Sequence, residues 1–335
     1  MKRYPIKLGK FSFITAGIMA GVLALAVSAI AQVSLRKALD FDLDGKADYT
    51  IYRPGTNVWW TLKTGSGAWQ TYQFPSSVNS LHTHDHMTPG DYDGDGKAEY
   101  AFWCNSNNTW YRYQSSNSTV ASTAFGAPGD EPVARDYDGD GKTDLAYVHR
   151  VTGSPNGTMT WNIQRSSNTS IVDVVQFGWD TDFPVPGDYD GDGKFDIAVQ
   201  RPGADYRTQT VFYILLSSNA SVQITSFGIG GDRAVPGDYD GDGKTDIAVV
   251  RDGVNSSQNI VWYIQQSTAG YRVETFGLTG TDKTAQADYD GDGKTDPTVW
   301  RETNGTFYVL KSTGGSGGAA WGTYGDIPIA SYDNH

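Results

Sequence analysis

The chain has 335 residues, 38 acidic and 26 basic, with a formal charge of −12, 13% aromatic residues and a single cysteine, Cys104. A polyanion of this kind excludes nucleic-acid binding by counterion release, and one cysteine excludes an intrachain disulfide framework or a cysteine-built zinc site. The aromatic content excludes a disordered acidic chain, and the length allows one large domain or two ordinary ones.

In chain order, residues 1–31 read as an address. Lys2, Arg3, Lys7 and Lys10 precede an uncharged run from Phe11 to Ala31, which closes on Ala29-Ile30-Ala31 ahead of Gln32. That is the pattern of a secretory signal peptide. An uncleaved anchor is the other reading, because a run of this length could span a bilayer. Either way, residues 32–335 are expected to work outside the cytoplasm: secreted, at the cell surface or in the periplasm. Free calcium there can fill weak sites.

The remainder is expected to be one domain built by repetition. A nine-residue phrase occurs six times, starting at Asp40, Asp91, Asp136, Asp188, Asp238 and Asp288, at intervals of 51, 45, 52, 50 and 50 residues. In the fifth unit, Ala234-Val235-Pro236-Gly237 leads in, and Ile247–Arg251, Ile260–Ile264 and Tyr271–Phe276 follow between polar turns. Short β-branched and aromatic runs bounded by Gly, Asn, Ser and Asp are strand signals, and no convincing helical period appears. Four short antiparallel strands in about 50 residues predict an all-β propeller of about six four-stranded blades. The tail segment Ile327–Tyr332 repeats a lead-in and is expected to close the ring on the first blade; a truncated seventh blade is the alternative.

The third strand of each unit carries a large aromatic: Trp59, Trp110, Trp161, Phe212, Trp262 and Phe307. The fourth ends in Phe125-Gly126, Phe177-Gly178, Phe227-Gly228, Phe276-Gly277 and Tyr324-Gly325, with Phe74-Pro75 in unit one. Both series are expected to pack between blades; an aromatic platform for sugars is the rival reading.

The phrase itself points to a metal. Its loops hold Asp40, Asp42, Asp44, Lys46 and Asp48; Asp91, Asp93, Asp95, Lys97 and Glu99; and Asp136, Asp138, Asp140, Lys142 and Asp144. The later three hold Asp188, Asp190, Asp192, Lys194 and Asp196; Asp238, Asp240, Asp242, Lys244 and Asp246; and Asp288, Asp290, Asp292, Lys294 and Asp296. Carboxylates at positions 1, 3, 5 and 9, with glycine at 6 for the sharp turn, supply the hard oxygens that calcium takes. Position 7 is lysine, so it can offer only its backbone carbonyl. An EF-hand would place Glu at position 12, where these loops carry Tyr147, Val199, Val249 or Val299, and no flanking helices are expected. Without metal, such carboxylates would repel one another. About six Ca²⁺ are expected, with magnesium the lesser fit. The six loops hold 24 of the 38 acidic residues, so the acidity is mostly ligand.

At these residues, from Leu35 to the C-terminus, the chain resembles the FG-GAP/VCBS repeats that form the β-propellers of integrin α-subunits and of many secreted bacterial proteins. The resemblance implies calcium in the hairpin between the first two strands of a blade, and binding or adhesion without naming a partner. Loop one departs from the pattern at Phe41 and Leu43, and loop two at Glu99. The integrin-like propeller has seven blades, whereas six full repeats are present here.

Beyond the loops, Arg53, Arg150, Arg201, Arg251 and Arg301 follow the second strands, with Asn105 in unit two. They are expected to pair with an acid or carbonyl of a neighbouring blade; a ring that binds an acidic glycan is the other reading. His82, His84 and His86 form the one histidine cluster, a solvated linker or a zinc or copper site. No nucleophile elbow or phosphate loop is present. Sequons such as those at Asn117 and Asn219 matter only in a host that glycosylates. Three functions are compatible with this pattern: a non-catalytic, calcium-stabilised binding or adhesion scaffold, expected to be monomeric with an extracellular protein or glycan partner; a propeller lectin using Trp69, Trp179 or Trp321; and a polysaccharide-active enzyme. The first is the expectation, because no catalytic constellation appears.

Overall fold

The computed structural model describes residues 39–76, 78, 85–153 and 156–330. The expected signal peptide, His82, His84 and the tail from residue 331 lie outside them. The described residues form six four-stranded antiparallel sheets without a helix, a six-bladed β-propeller. No helix among them is long and apolar enough to cross a membrane.

Each sheet is one repeat unit. In the fifth, Arg233–Ala234 pairs with Ile247–Arg251, then Asn259–Gln266, then Gly270–Leu278. Burial falls outward along that order. Ile247–Arg251 is buried on both faces except at Arg251, the next strand alternates, and the outer strand leaves Tyr271 and Val273 exposed. The second strand can be apolar throughout because neighbouring blades cover both its faces, whereas the outer strand meets water on one side.

The ring closes in the first blade. Its strands Tyr49–Arg53, Val58–Leu62 and Trp69–Gln73 are completed by Ile327–Pro328, which pairs with the first of them through Ile51↔Pro328 and Tyr52↔Ile327. The tail is therefore the closing strand expected from its sequence.

The third-strand aromatics are core. Trp59, Trp110, Trp161, Phe212, Trp262 and Phe307 are fully buried. Trp110, Trp161 and Trp262 donate their indole N–H to the carbonyls of Phe125, Phe177 and Phe276 at 2.8, 3.0 and 2.9 Å. This explains the Phe-Gly pairs: the phenylalanine supplies the acceptor, and the glycine turns the chain at positive φ, 97° at Gly277. A side chain at Gly277 would meet Val299 of the next blade at 2.9 Å. Tyr324 departs from the series and is 80% exposed.

Strand directions give the propeller two unlike faces. One carries the six acidic loops and the turns between third and fourth strands. The other carries the turns between second and third strands, the connections between blades, and the arginines.

Candidate metal sites and the opposite face

Each acidic loop is wound around its own first carboxylate. In loop four, Asp188 accepts the N–H of Gly191 at 2.7 Å with one oxygen and that of Gly193 at 3.0 Å with the other. Gly191 and Gly193 have φ of 79° and 91°, so glycine is what lets both N–H groups turn inward. Asp196 at position 9 ties three segments together, accepting from Tyr189 N at 2.8 Å and from Ser217 N, in the third-to-fourth-strand turn, at 2.7 Å. Asp192 at position 5 accepts the N–H of Lys194 at 2.9 Å and the hydroxyl of Ser217 at 3.0 Å. Loops three, five and six repeat this frame with small differences.

The carboxylates converge as the spacing predicts, with one difference. Oxygens of positions 1, 3 and 9 lie within 4.8 Å of one another in the groups Asp40-Asp42-Asp48, Asp136-Asp138-Asp144, Asp188-Asp190-Asp196 and Asp238-Asp240-Asp246. Position 5 stands outside these four groups. In loop two the longer Glu99 is accommodated, and Asp91, Asp93, Asp95 and Glu99 gather as one group. The position-7 lysines, Lys46, Lys142, Lys194, Lys244 and Lys294, reach sideways over the position-4 glycine of the preceding loop, Gly291, Gly94, Gly139, Gly191 and Gly241 respectively.

The electrostatics suit a cation. Burial pushes Asp136, Asp188 and Asp246 up to about 7 and Asp144 and Asp196 up to about 6, with neighbouring carboxylates adding to the rise. Burial likewise pushes Asp48 to about 7 and Glu99 to about 8. No Lys, Arg or His among the described residues closes an ion pair with Asp136, Asp188 or Asp238. Buried like charges without a counter-charge are costly. Each carboxylate oxygen that takes an N–H keeps a second lone pair, so the donor set of hard oxygens fits a divalent cation of the calcium type.

The loops also join one another, a feature the sequence did not announce. The N–H at position 8 of each loop donates to the position-1 carbonyl of the loop before it: Ala98 to Asp40, Thr143 to Asp91, Phe195 to Asp136, Thr245 to Asp188, Thr295 to Asp238 and Ala47 to Asp288, at 2.6–2.8 Å. The sixth bond returns to the first loop, so the six form a closed circuit. The residue before position 1 lies under this contact. A Cβ at Gly187 would come within 2.6 Å of Thr245, and one at Gly237 within 2.7 Å of Thr295, which accounts for the Pro-Gly-Asp lead-in.

On the opposite face the arginines have structural partners. Arg53, Arg201, Arg251 and Arg301 each clamp a fully buried aspartate with two bonds of 2.7–2.9 Å, to Asp326, Asp182, Asp232 and Asp282. Each acid belongs to the lead-in of the same blade, which corrects the expectation of a neighbouring blade. Arg150 does reach a neighbouring-blade carbonyl as expected, but from a different strand position. By strand register the matching position in blade three is His149, which bonds Asp130 at 2.6 Å, and in blade two it is Cys104. Arg150 sits one residue on and binds Glu131 and the carbonyls of Asp180 and Asp182 in the next connection. Sequence reading missed the aspartates, although each follows a Phe-Gly or Tyr-Gly pair by one to five residues. Of the histidine cluster only His86 is described, in the lead-in strand of blade two.

The FG-GAP-like repeat family matches residues 40–102, 91–147, 136–199 and 238–299, and the chain belongs to that family. No curated protein sequence matches it. Among solved structures, a streptogramin B lyase is 8% identical over 86% of this chain and 87% of that one, with a TM-score of 0.46. A prolyl endopeptidase is 12% identical over 95% of this chain, which spans 54% of that protein, with a TM-score of 0.45. An inactive virginiamycin B lyase from Staphylococcus aureus, solved with quinupristin, is 13% identical over 84% and 86%, with a TM-score of 0.34. At these values the likenesses carry no argument about function.

Proposed function

We propose that this chain is a calcium-loaded β-propeller that acts outside the cytoplasm as a non-catalytic binding or adhesion scaffold. The observation that carries this reading is the closed circuit of six loops. Its acceptors are the carbonyls of the same aspartates that lead each carboxylate group, so metal in a loop and contact between blades depend on the same residues. Loading the loops stiffens one face and leaves the other to present its irregular turns, where Trp179, Phe183, Tyr206, Val254 and Tyr324 are exposed. The test is thermal unfolding in millimolar calcium and after chelation. A single site at a hundred times its Kd adds about 2.7 kcal/mol, and several sites together are expected to raise the melting temperature by about 10 °C or more. An unchanged melting temperature would refute the metal reading.

Glycan binding is supported by one further observation. Trp69 is 62% exposed and stacks on Trp60 with ring centroids 6.0 Å apart, which leaves a flat aromatic face open to a sugar. Trp321 is spent on packing, donating to Trp60 O at 3.1 Å. A glycan screen in which Trp69→Ala abolishes binding would place the ligand there; retention of binding would remove this site from consideration.

A further inference from the structure

The loop face repeats almost residue for residue, whereas the opposite face does not. Two cross-strand places recur there in every blade: the residue after the clamped aspartate and the residue after its partner on the second strand. In blade five they are Arg233 and Asp252, which close an ion pair at 2.5 Å. In blade three they are Glu131 and Arg150, which close one at 2.7 Å with the charges exchanged. Blade one has Ile327 and Pro54, and blade four has Phe183 and Pro202. Packing that serves the repeat recurs with it; these places vary, so the repeat does not dictate them.

Blade six is the exception among the charged blades. Its residues are Lys283 and Glu302, and neither closes an ion pair among the described residues. The Lys283 ammonium lies over the Trp300 ring, 5.8 Å from its centroid. A cavity of about 510 Å³ opens at this spot between blades five, six and one, lined by Lys283 and Glu302, by the Arg233–Asp252 pair, and by Ile327 and Pro328. Its size is within the range of small-molecule sites.

A cation and an anion left unpaired on one cavity wall call for a ligand that carries both charges. We propose that this cavity binds a small zwitterion, a short peptide with free termini. Its carboxylate would face Lys283, its ammonium Glu302, and its carbon atoms Ile327 and Pro328. No aromatic ring lines the cavity, which disfavours a sugar stacked in it. The inference rests on the reading of the chain as a binding scaffold and names a ligand class for it.

The test is calorimetric titration of the full chain, saturated with calcium, with trialanine, with acetyl-trialanine amide, and with galacturonate as an anion lacking an ammonium group. Trialanine is expected to bind at least tenfold more tightly than either of the others. Lys283→Met and Glu302→Gln are each expected to weaken it at least tenfold without moving the melting temperature in calcium. Equal binding of the capped peptide or of galacturonate would overturn the proposal, as would no binding of trialanine at millimolar concentration or unchanged binding by both variants. If a variant fails to fold, the free-against-capped comparison on the unaltered chain decides alone. Melting of the same samples after chelation keeps the two readings apart. A chain that responds to chelator but shows no zwitterion preference loses only this inference; one indifferent to chelator loses the metal reading.

Discussion

Asp188 illustrates how a residue in these loops serves two conditions at once. Its oxygens hold the turn through two glycine N–H groups, yet burial without a cation leaves its charge uncompensated. Asp188→Asn therefore carries a cost that depends on metal. In calcium it removes a charged group and is expected to lower stability by about 2 kcal/mol, read by urea unfolding; in chelator the relief of repulsion offsets the glycine N–H that the amide nitrogen cannot accept, and the loss is expected to be smaller. The same reasoning sets a pH dependence. Asp48, Asp136, Asp188 and Asp246 titrate near 7 in the fold against an ordinary 3.8. The folded, metal-free chain thus holds more protons than the unfolded chain between those values, and its stability falls as pH rises from about 4 to about 7. In chelator the melting temperature should be higher at pH 4.5 than at pH 7.5; in calcium, whose ligands must be deprotonated, the order should reverse. Leu43 is a third case. It occupies position 4 at φ 67°, where the other loops have glycine. Leu43→Gly is expected to raise stability by up to about 1 kcal/mol, and a measured loss would show that its contact with loop two outweighs the strain.

At the level of strands and clamps, legibility followed sequence distance. Ile247–Arg251 and the neighbouring strands were readable because β-branched and aromatic residues sit together between turn signals. The loops were readable because their carboxylates fall within nine residues. The clamp was misread, since Arg301 finds Asp282 across 19 residues, and no local pattern tells that a carboxylate waits there. Arg150 was misplaced because strand register, which sets sides by single residues, put His149 opposite Asp130. Breaking one clamp should be costly. Arg301→Met leaves Asp282 buried without its counter-charge and is expected to cost about 3 kcal/mol, while Arg301→Lys, which cannot form the forked pair, should recover only part of it. Equal stability of all three proteins in urea would show the clamp to be dispensable.

For the whole molecule, the circuit of inter-loop bonds makes neighbouring blades interdependent. Gly187→Ala should push loop four from loop five through the Thr245 contact and cost about 1–3 kcal/mol. Thr245→Gly in the same chain should restore much of that, giving a coupling energy of about 1 kcal/mol in a double-mutant cycle. Independent, additive effects would mean that the blades are joined elsewhere. Because the circuit has six members and returns to its start, metal lost from one loop is expected to broaden or lower the unfolding of the entire ring rather than release a single blade.

The first blade has its own consequence, a mechanical one. Its innermost strand comes from a distant part of the sequence and is held by two register pairs, by the Ile329 N–H donating to the Thr50 carbonyl at 2.9 Å, and by the Arg53–Asp326 clamp. A load applied through the two chain ends therefore falls first on that short seam, while the other five sheets, each a continuous stretch of chain, remain shielded until it parts. A tethered copy under tension would open there as a latch, and the strength of the latch, more than the stability of any blade, would set how long the ring stays closed.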